Sequence, residues 1–275
     1  PIFGHISPLA SGLPDELLTL ATWLRPWLER ALPEDRHVDR VAVTPDSPQE
    51  DEIPLANQQG LSVFHATYFP ARFRHELNRG VFLDGASPSE VESWKRAHVR
   101  LLRKVAFHQG KPLLLIKNPV YTGRIRLLTT LWPRARFVHI YRNPYEVYPS
   151  TLRYHRKLLS EYALQDAAVP DLEDVVLQTY ARLMGAFDRE AEGLSKGQLI
   201  QVRFEDFERS PLEHARQIFE ELALEGWEDA EAPIRGYLST IRGYQKNDLV
   251  IDEGVKRAVD AHWGSYVDRW GYAPA

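Results

Sequence analysis

Three short apolar runs, "PLLLIK" at 112–117, "RFVHIY" at 136–141 and "QLIQVRF" at 198–204, constrain this chain more than any other feature. Each has the length of a strand and not of a core helix. Each is also followed by a helical pattern, the strand, helix, strand rhythm of a parallel sheet covered on both faces. The fold class this predicts is α/β, with a central parallel sheet flanked by helices. "TGRIRLLTTLWP" supplies the helix after the first run, and helical patterns over 144–165 and 171–193 follow the second. Two further helices are predicted by their starts. "SPSE" sets Ser87 as N-cap, Pro88 at the first helical position and Glu90 three after the cap, predicting 88–109; "SPLE" repeats this with Ser210, Pro211 and Glu213, predicting 211–224. Residues 228–246 and 253–270 complete the helical set, whereas 43–62, with its Pro and Ser-Pro turns, reads as an irregular excursion.

At 275 residues and 44% hydrophobic, the chain can bury a large core, and 1–275 is expected to form a single domain. The formal net charge is −4, so no general basic field exists to hold nucleic acid or an anionic membrane, and an anion must be gripped locally. The absence of cysteine removes disulfides, thiolate chemistry and Cys-based zinc sites. The apolar runs fall far short of a membrane span and no leader pattern opens the chain, so a soluble, cytoplasmic protein is expected. Oligomeric state is not readable.

"FVHIYRNPYEVYPS" at 137–150 is the most telling local stretch. In parallel sheets the ligand site lies at the carboxyl ends of the strands, and the next helix offers its free N–H groups there. Arg142 stands at that edge. Asn143 can cap the following helix, with Pro144 at its first position and Glu146 at its third; Ser150 then lies about 10 Å further along the axis. Guanidinium and hydroxyl could share one phosphate. Equally, Arg142 could pair with a nearby carboxylate while Ser150 faces solvent.

The wider stretch 112–151, "PLLLIKNPVYTGRIRLLTTLWPRARFVHIYRNPYEVYPST", resembles the sulfotransferase superfamily, in particular bacterial sulfotransferase-domain proteins. The resemblance continues in "DSPQEDE" (46–52), "VRFEDFERSPLE" (202–213), "RGYQKN" (242–247) and the closing "HWGSYVDRWGY". It implies a P-loop-NTPase-like three-layer fold and transfer of a sulfuryl group from 3′-phosphoadenosine 5′-phosphosulfate (PAPS) to a hydroxyl or amine of a small-molecule acceptor, with no metal. It also implies that Arg142 and Ser150 hold the 3′-phosphate and that Lys117 meets the group in flight, where an ammonium stabilises charge growing on the leaving phosphate. Phe204 matches a position near the adenine, with a strand-end core phenylalanine as the alternative. Lys246 could reach the 3′-phosphate or the acceptor, or stay in solvent.

A general base must lie within hydrogen-bond reach of the nucleophile. Glu50, Asp51 and Glu52 form the leading cluster, since crowded like charges favour holding a proton; the alternative is a solvated helix start. His65 and Tyr121 are weaker candidates. Two features depart from the family pattern. Pro149 falls inside a predicted helix, where it should remove one backbone bond and bend the chain. The glycine-rich loop that cradles the 5′-phosphosulfate is also absent between Pro1 and Ile6, leaving either residues outside this sequence or a deletion in an inactive relative. A nucleotide-dependent kinase is disfavoured because no Gly-x-x-x-x-Gly-Lys-Ser/Thr occurs. Aromatics over 61–83 and 153–190 suggest an apolar or ring-bearing acceptor, with core packing as the alternative reading of aromatics at helical spacing.

Overall fold

A computed structural model of the chain describes residues 2–32, 43–166, 168–169, 171–241 and 249–272. These form two compact units, an N-terminal one of Ile2–Val120 with His155–Pro170 and a C-terminal one of Tyr121–Tyr154 with Asp171–Ala275.

The N-terminal unit is mostly helical. α1 (Pro8–Gly12) starts where the Ser7 hydroxyl accepts from the Ala10 N–H at 3.3 Å, and α2 (Ala21–Ala31) follows. α3 (Glu52–Gln58) lies within the stretch expected to be irregular, so that expectation is corrected over those residues. The segment had too few periodic residues for a helix to show. α4 (Phe64–Tyr68) leads through a 3-10 turn at Pro70–Arg72 into α5 (Phe73–Phe82). Gly80 of α5 is required by close approach: a Cβ there would stand 2.4 Å from the Val63 backbone nitrogen. α6 (Pro88–Gln109) has the predicted bounds and the predicted capping box between Ser87 and Glu90. It ends at Gly110, whose φ of 62° favours glycine. Trp94, His98, Leu101, Leu102 and Val105 recur every three or four residues and turn inward.

"PLLLIK" is a correction. Its only ladder partner among the described residues is Gly4, through Gly4 N–H to Leu113 O and Leu115 N–H to Gly4 O, both 2.8 Å and parallel. The run is therefore extended, with a single bridge among the described residues. Leu113 and Leu115 are 50% and 62% exposed, so the lysine that follows does not end a buried strand.

The C-terminal unit carries the parallel pair. After α7 (Ile125–Leu131), β1 (Phe137–Tyr141) leads into α8 (Pro144–Tyr162), which crosses into the other unit's residues at His155. α9 (Leu172–Ala191) returns to β2 (Leu199–Arg203), in register from Phe137 opposite Leu199 to Tyr141 opposite Arg203. α10 (Phe204–Arg209), α11 (Pro211–Glu221), α12 (Trp227–Thr240) and α13 (Glu253–Trp270) follow. β1 packs His139 on Phe187 and Tyr141 on Trp270, with ring centroids 4.0 and 4.7 Å apart, while alternate residues Val138 and Ile140 remain exposed. The expected two-sided burial is thus one-sided at this strand. Behind it Trp263, buried and donating to the Leu177 carbonyl at 2.9 Å, centres a core with Tyr145, Tyr148 and Val259.

One local expectation changes. The Ser210 side chain caps nothing, because that residue also closes α10: its N–H goes to the Asp206 carbonyl at 3.0 Å, and its ψ of 62° is not the extended cap conformation. Pro149 lies inside α8, as expected.

Candidate functional site

Arg142 follows β1 directly, at the carboxyl end of the parallel pair. The sharp turn beyond it has the predicted chemistry: Asn143 Oδ1 accepts the Tyr145 N–H at 3.0 Å, and α8 begins at Pro144. Glu205, from the start of α10, ties the turn down. Its carboxylate accepts the Asn143 N–H at 3.0 Å and the Tyr272 hydroxyl at 2.6 Å, with Arg203 Nε 3.4 Å away. Burial alone would raise the pKa of Glu205, but the Tyr272 hydroxyl, the Asn143 N–H and the Arg203 charge outweigh it and hold the carboxylate ionised below its ordinary value. The Tyr272 phenol is correspondingly pushed up, first by burial and then by Glu205.

This frame brings Arg142 and Phe204 together. The guanidinium carbon lies 4.7 Å from the centre of the Phe204 ring, a cation–π contact. Phe204 opens α10, half-buried, so it is not the strand-end core residue of the alternative reading. Glu146, one turn into α8, takes both Nη2 and Nε of Arg142, the latter at 3.0 Å. The carboxylate pairing weighed from the sequence is therefore present. Ser150 is four residues beyond Glu146 on the same helix face, half-buried, and its hydroxyl engages no hydrogen bond among the described residues. No hydrogen bond joins it to Arg142, whose guanidinium is taken by Glu146.

In the N-terminal unit, Lys117 Nζ pairs with Glu50. The lysine side chain is 71% exposed and the glutamate 22%. Asp51 and Glu52 behave differently: both are fully buried, neither the solvated helix start nor an open acid cluster. Asn118 holds them, its side-chain amide donating to Asp51 Oδ1 at 2.9 Å and Glu52 Oε2 at 3.1 Å. Glu52 Oε1 also accepts the Val63 N–H at 3.1 Å, and His98 Nε2 lies 3.5 Å from Asp51 Oδ2 while its ring stacks on Trp94 at 4.9 Å. Of the predicted acids, Glu50 alone meets Lys117.

His65 is held by the Ala56 carbonyl, 3.3 Å from Nε2, and Tyr121 lies in a 3-10 turn, Pro119–Gly123. Lys246 lies outside the described residues. Sequence reasoning missed Asn118, His98, Glu205 and Tyr272. The signal for Asn118 was its place after Lys117; for Glu205 and Tyr272 it lay in the quoted "VRFEDF" and "DRWGY". Nothing local marked His98, an ordinary inward residue of α6.

Residues 19–229 match the profile described as the Sulfotransferase family, most of the chain. The chain belongs to the sulfotransferase family. Two curated members, both the omega-hydroxy-beta-dihydromenaquinone-9 sulfotransferase Stf3, from Mycobacterium bovis and Mycobacterium tuberculosis, are each 32% identical over 92% of this chain. The alignment spans 65% of those relatives' length. Among solved structures, sulfotransferase STF1 from M. tuberculosis matches 96% of the chain and 70% of its own with a TM-score of 0.67 at 16% identity. Sulfotransferase STF9 from Mycobacterium avium matches 97% and 67%, with a TM-score of 0.62 at 17% identity. At such identities the likeness shows the fold, and it is the α/β sulfotransferase fold expected from the sequence. Among the described residues no helix is long and apolar enough to cross a membrane.

Proposed function

We propose that this chain is the bulk of a cytoplasmic PAPS-dependent sulfotransferase, with 1–275 acting as one domain and a lipid-like, ring-bearing alcohol as acceptor. The observation that carries the proposal is the Arg142 guanidinium held against Phe204 at the carboxyl end of a parallel strand pair. A planar cation with an adjoining aromatic face suits a ribose phosphate and its base. Ser150, on the face of α8 that Arg142 leans along, supplies a hydroxyl for the same phosphate. The acceptor class rests on the curated relatives, whose name specifies a hydroxylated dihydromenaquinone.

Each residue then has a task that its surroundings allow. Arg142 exchanges its Glu146 pairing for the 3′-phosphate, a swap that costs little because both side chains are partly solvated. Glu50, the accessible member of the acid turn, takes the proton of the acceptor hydroxyl as the new S–O bond forms. Lys117 stabilises the charge that collects on the leaving phosphate as the old S–O bond breaks, and its pairing with Glu50 keeps the two groups at one locus. Asp51 serves through position: with Glu52 it is locked to Asn118, beside Lys117 in the chain. Lys246 is a further phosphate ligand in this scheme.

The test is transfer of labelled sulfate from PAPS to a hydroxylated short-chain quinol. Lys117→Ala should cut kcat by about 100-fold or more while leaving binding of 3′,5′-diphosphoadenosine nearly unchanged. Absence of transfer despite nucleotide binding would point to a binding protein that keeps the fold.

A further inference from the structure

α2 presents its apolar stripe to solvent. Leu20, whose carbonyl accepts the Leu24 N–H at 3.0 Å, begins a row that continues with Trp23, Leu24 and Trp27, the i, i+3, i+4, i+7 spacing of one helix face. A core helix would turn that face inward, but Trp23 is 82% and Trp27 67% exposed. Arg25, on the other side of the helix, pairs with Asp46 at 2.7 Å.

The surroundings say what kind of surface this stripe meets. Arg30 lies 5.8 Å from the Trp27 ring centre, so a cation stands beside that indole. The segment just before α2 is bound to α6: Arg100 meets Asp15 Oδ1 at 2.8 Å, and Lys104 donates to the Pro14 and Asp15 carbonyls at 3.1 and 2.8 Å. α6 carries an outward row of its own, Arg96, Arg100 and Arg103, ending in the exposed Phe107. Outward arginines thus stand on the helix that anchors the segment leading into the indole stripe, in a protein whose net charge is −4. Indoles with flanking cations are the composition of helices that lie in the headgroup layer of a bilayer, apolar face down, with the cations toward lipid phosphates. α2 has 11 residues, too few to span the hydrocarbon.

We propose that α2 docks this protein on the surface of an anionic lipid bilayer, with Trp23 and Trp27 inserted at the interface and the arginine row of α6 facing the phosphates. The inference rests on the lipid-acceptor reading above, because an acceptor that resides in a bilayer must be met where it lies. It adds the surface that meets it.

The test measures partitioning of the full chain onto vesicles of equal parts phosphatidylglycerol and phosphatidylcholine, by co-sedimentation and by the blue shift of tryptophan emission. The wild type should bind, and the W23S/W27S variant should partition at least about tenfold more weakly with unchanged far-ultraviolet circular dichroism. R96E/R103E should lose a similar factor on these vesicles and little on pure phosphatidylcholine. No partitioning of the wild type, or equal partitioning of W23S/W27S, overturns the proposal. So does a concentration-dependent dimer that W23S/W27S abolishes while vesicle binding stays intact, since the stripe would then meet a second copy. Transfer to a soluble short-chain quinol without vesicles reads the reaction alone: if it fails while W23S/W27S still governs vesicle binding, the surface stands and the sulfotransferase reading falls.

Discussion

The Arg142 corner and the Lys117 turn look alike in outline, each a cation after an extended segment and each paired with a glutamate, but they are held by opposite means. Arg142 and Glu146 are four residues apart, and the Asn-Pro turn between them is fixed by local hydrogen bonds and braced by Glu205. Lys117 and Glu50 are 67 residues apart. Next in the chain to both is a buried pair of carboxyl groups, Asp51 and Glu52, with Asn118 between them, so this turn stands on long-range polar contacts inside a core. The difference teaches where each is vulnerable. Binding chemistry at Arg142 should be separable from folding, whereas the support under Lys117 should not.

The sharpest attempt to break that contrast is Asn118→Leu. It strips the amide from two buried carboxyl groups, and taking a hydrogen-bond partner from buried polar groups is expensive: about 3–5 kcal/mol of stability should go, read as a lowered urea midpoint. A loss under about 1 kcal/mol would mean the acid pair is not held as described. Glu50→Gln goes the other way. Its partner is largely solvated, so stability should move by less than about 1 kcal/mol while kcat falls about 100-fold, roughly 2.7 kcal/mol of barrier.

Much of this asymmetry follows from what a sequence can display. The Arg142 turn was legible because capping residues, proline position and the four-residue pairing act within one turn of chain. α6 was legible to the residue for the same reason, with cap, stop and inward face all written locally. Asn118 could not be read that way: its function depends on residues 51 and 52, brought near by packing that no periodicity announces. The exposed alternate faces at Val138, Ile140, Leu113 and Leu115 were misread for a related reason, since an apolar run reports that burial is possible and not which face receives it. The short helices α1, α3, α4 and α10 have too few residues to establish a period.

A pH series compares the units by another route. Burial, with Phe73 edge-on to its ring at 5.4 Å, pushes His155 of the N-terminal unit down to about 4. The unfolded chain takes that proton near 6.5 and the folded chain does not, so stability is intact above pH 6.5 and declines as pH falls toward 4, by about 2 kcal/mol near pH 5. His155→Phe should flatten this slope in denaturant titrations; an unchanged slope would assign it elsewhere. The smallest expected effect is at the corner. Glu146→Gln removes the carboxylate that competes for Arg142, so nucleotide affinity should rise by about threefold, less than 1 kcal/mol, instead of falling.

The claim on which the whole account turns is that Arg142 and Phe204 form the clasp for a nucleotide phosphate. Calorimetric titration with 3′,5′-diphosphoadenosine tests it most directly. The account predicts micromolar binding to the wild type that weakens about 100-fold in Arg142→Ala, with the urea midpoint unmoved and with ATP bound more weakly than the diphosphate. Equal affinity of wild type and Arg142→Ala, or a preference for ATP, would contradict it.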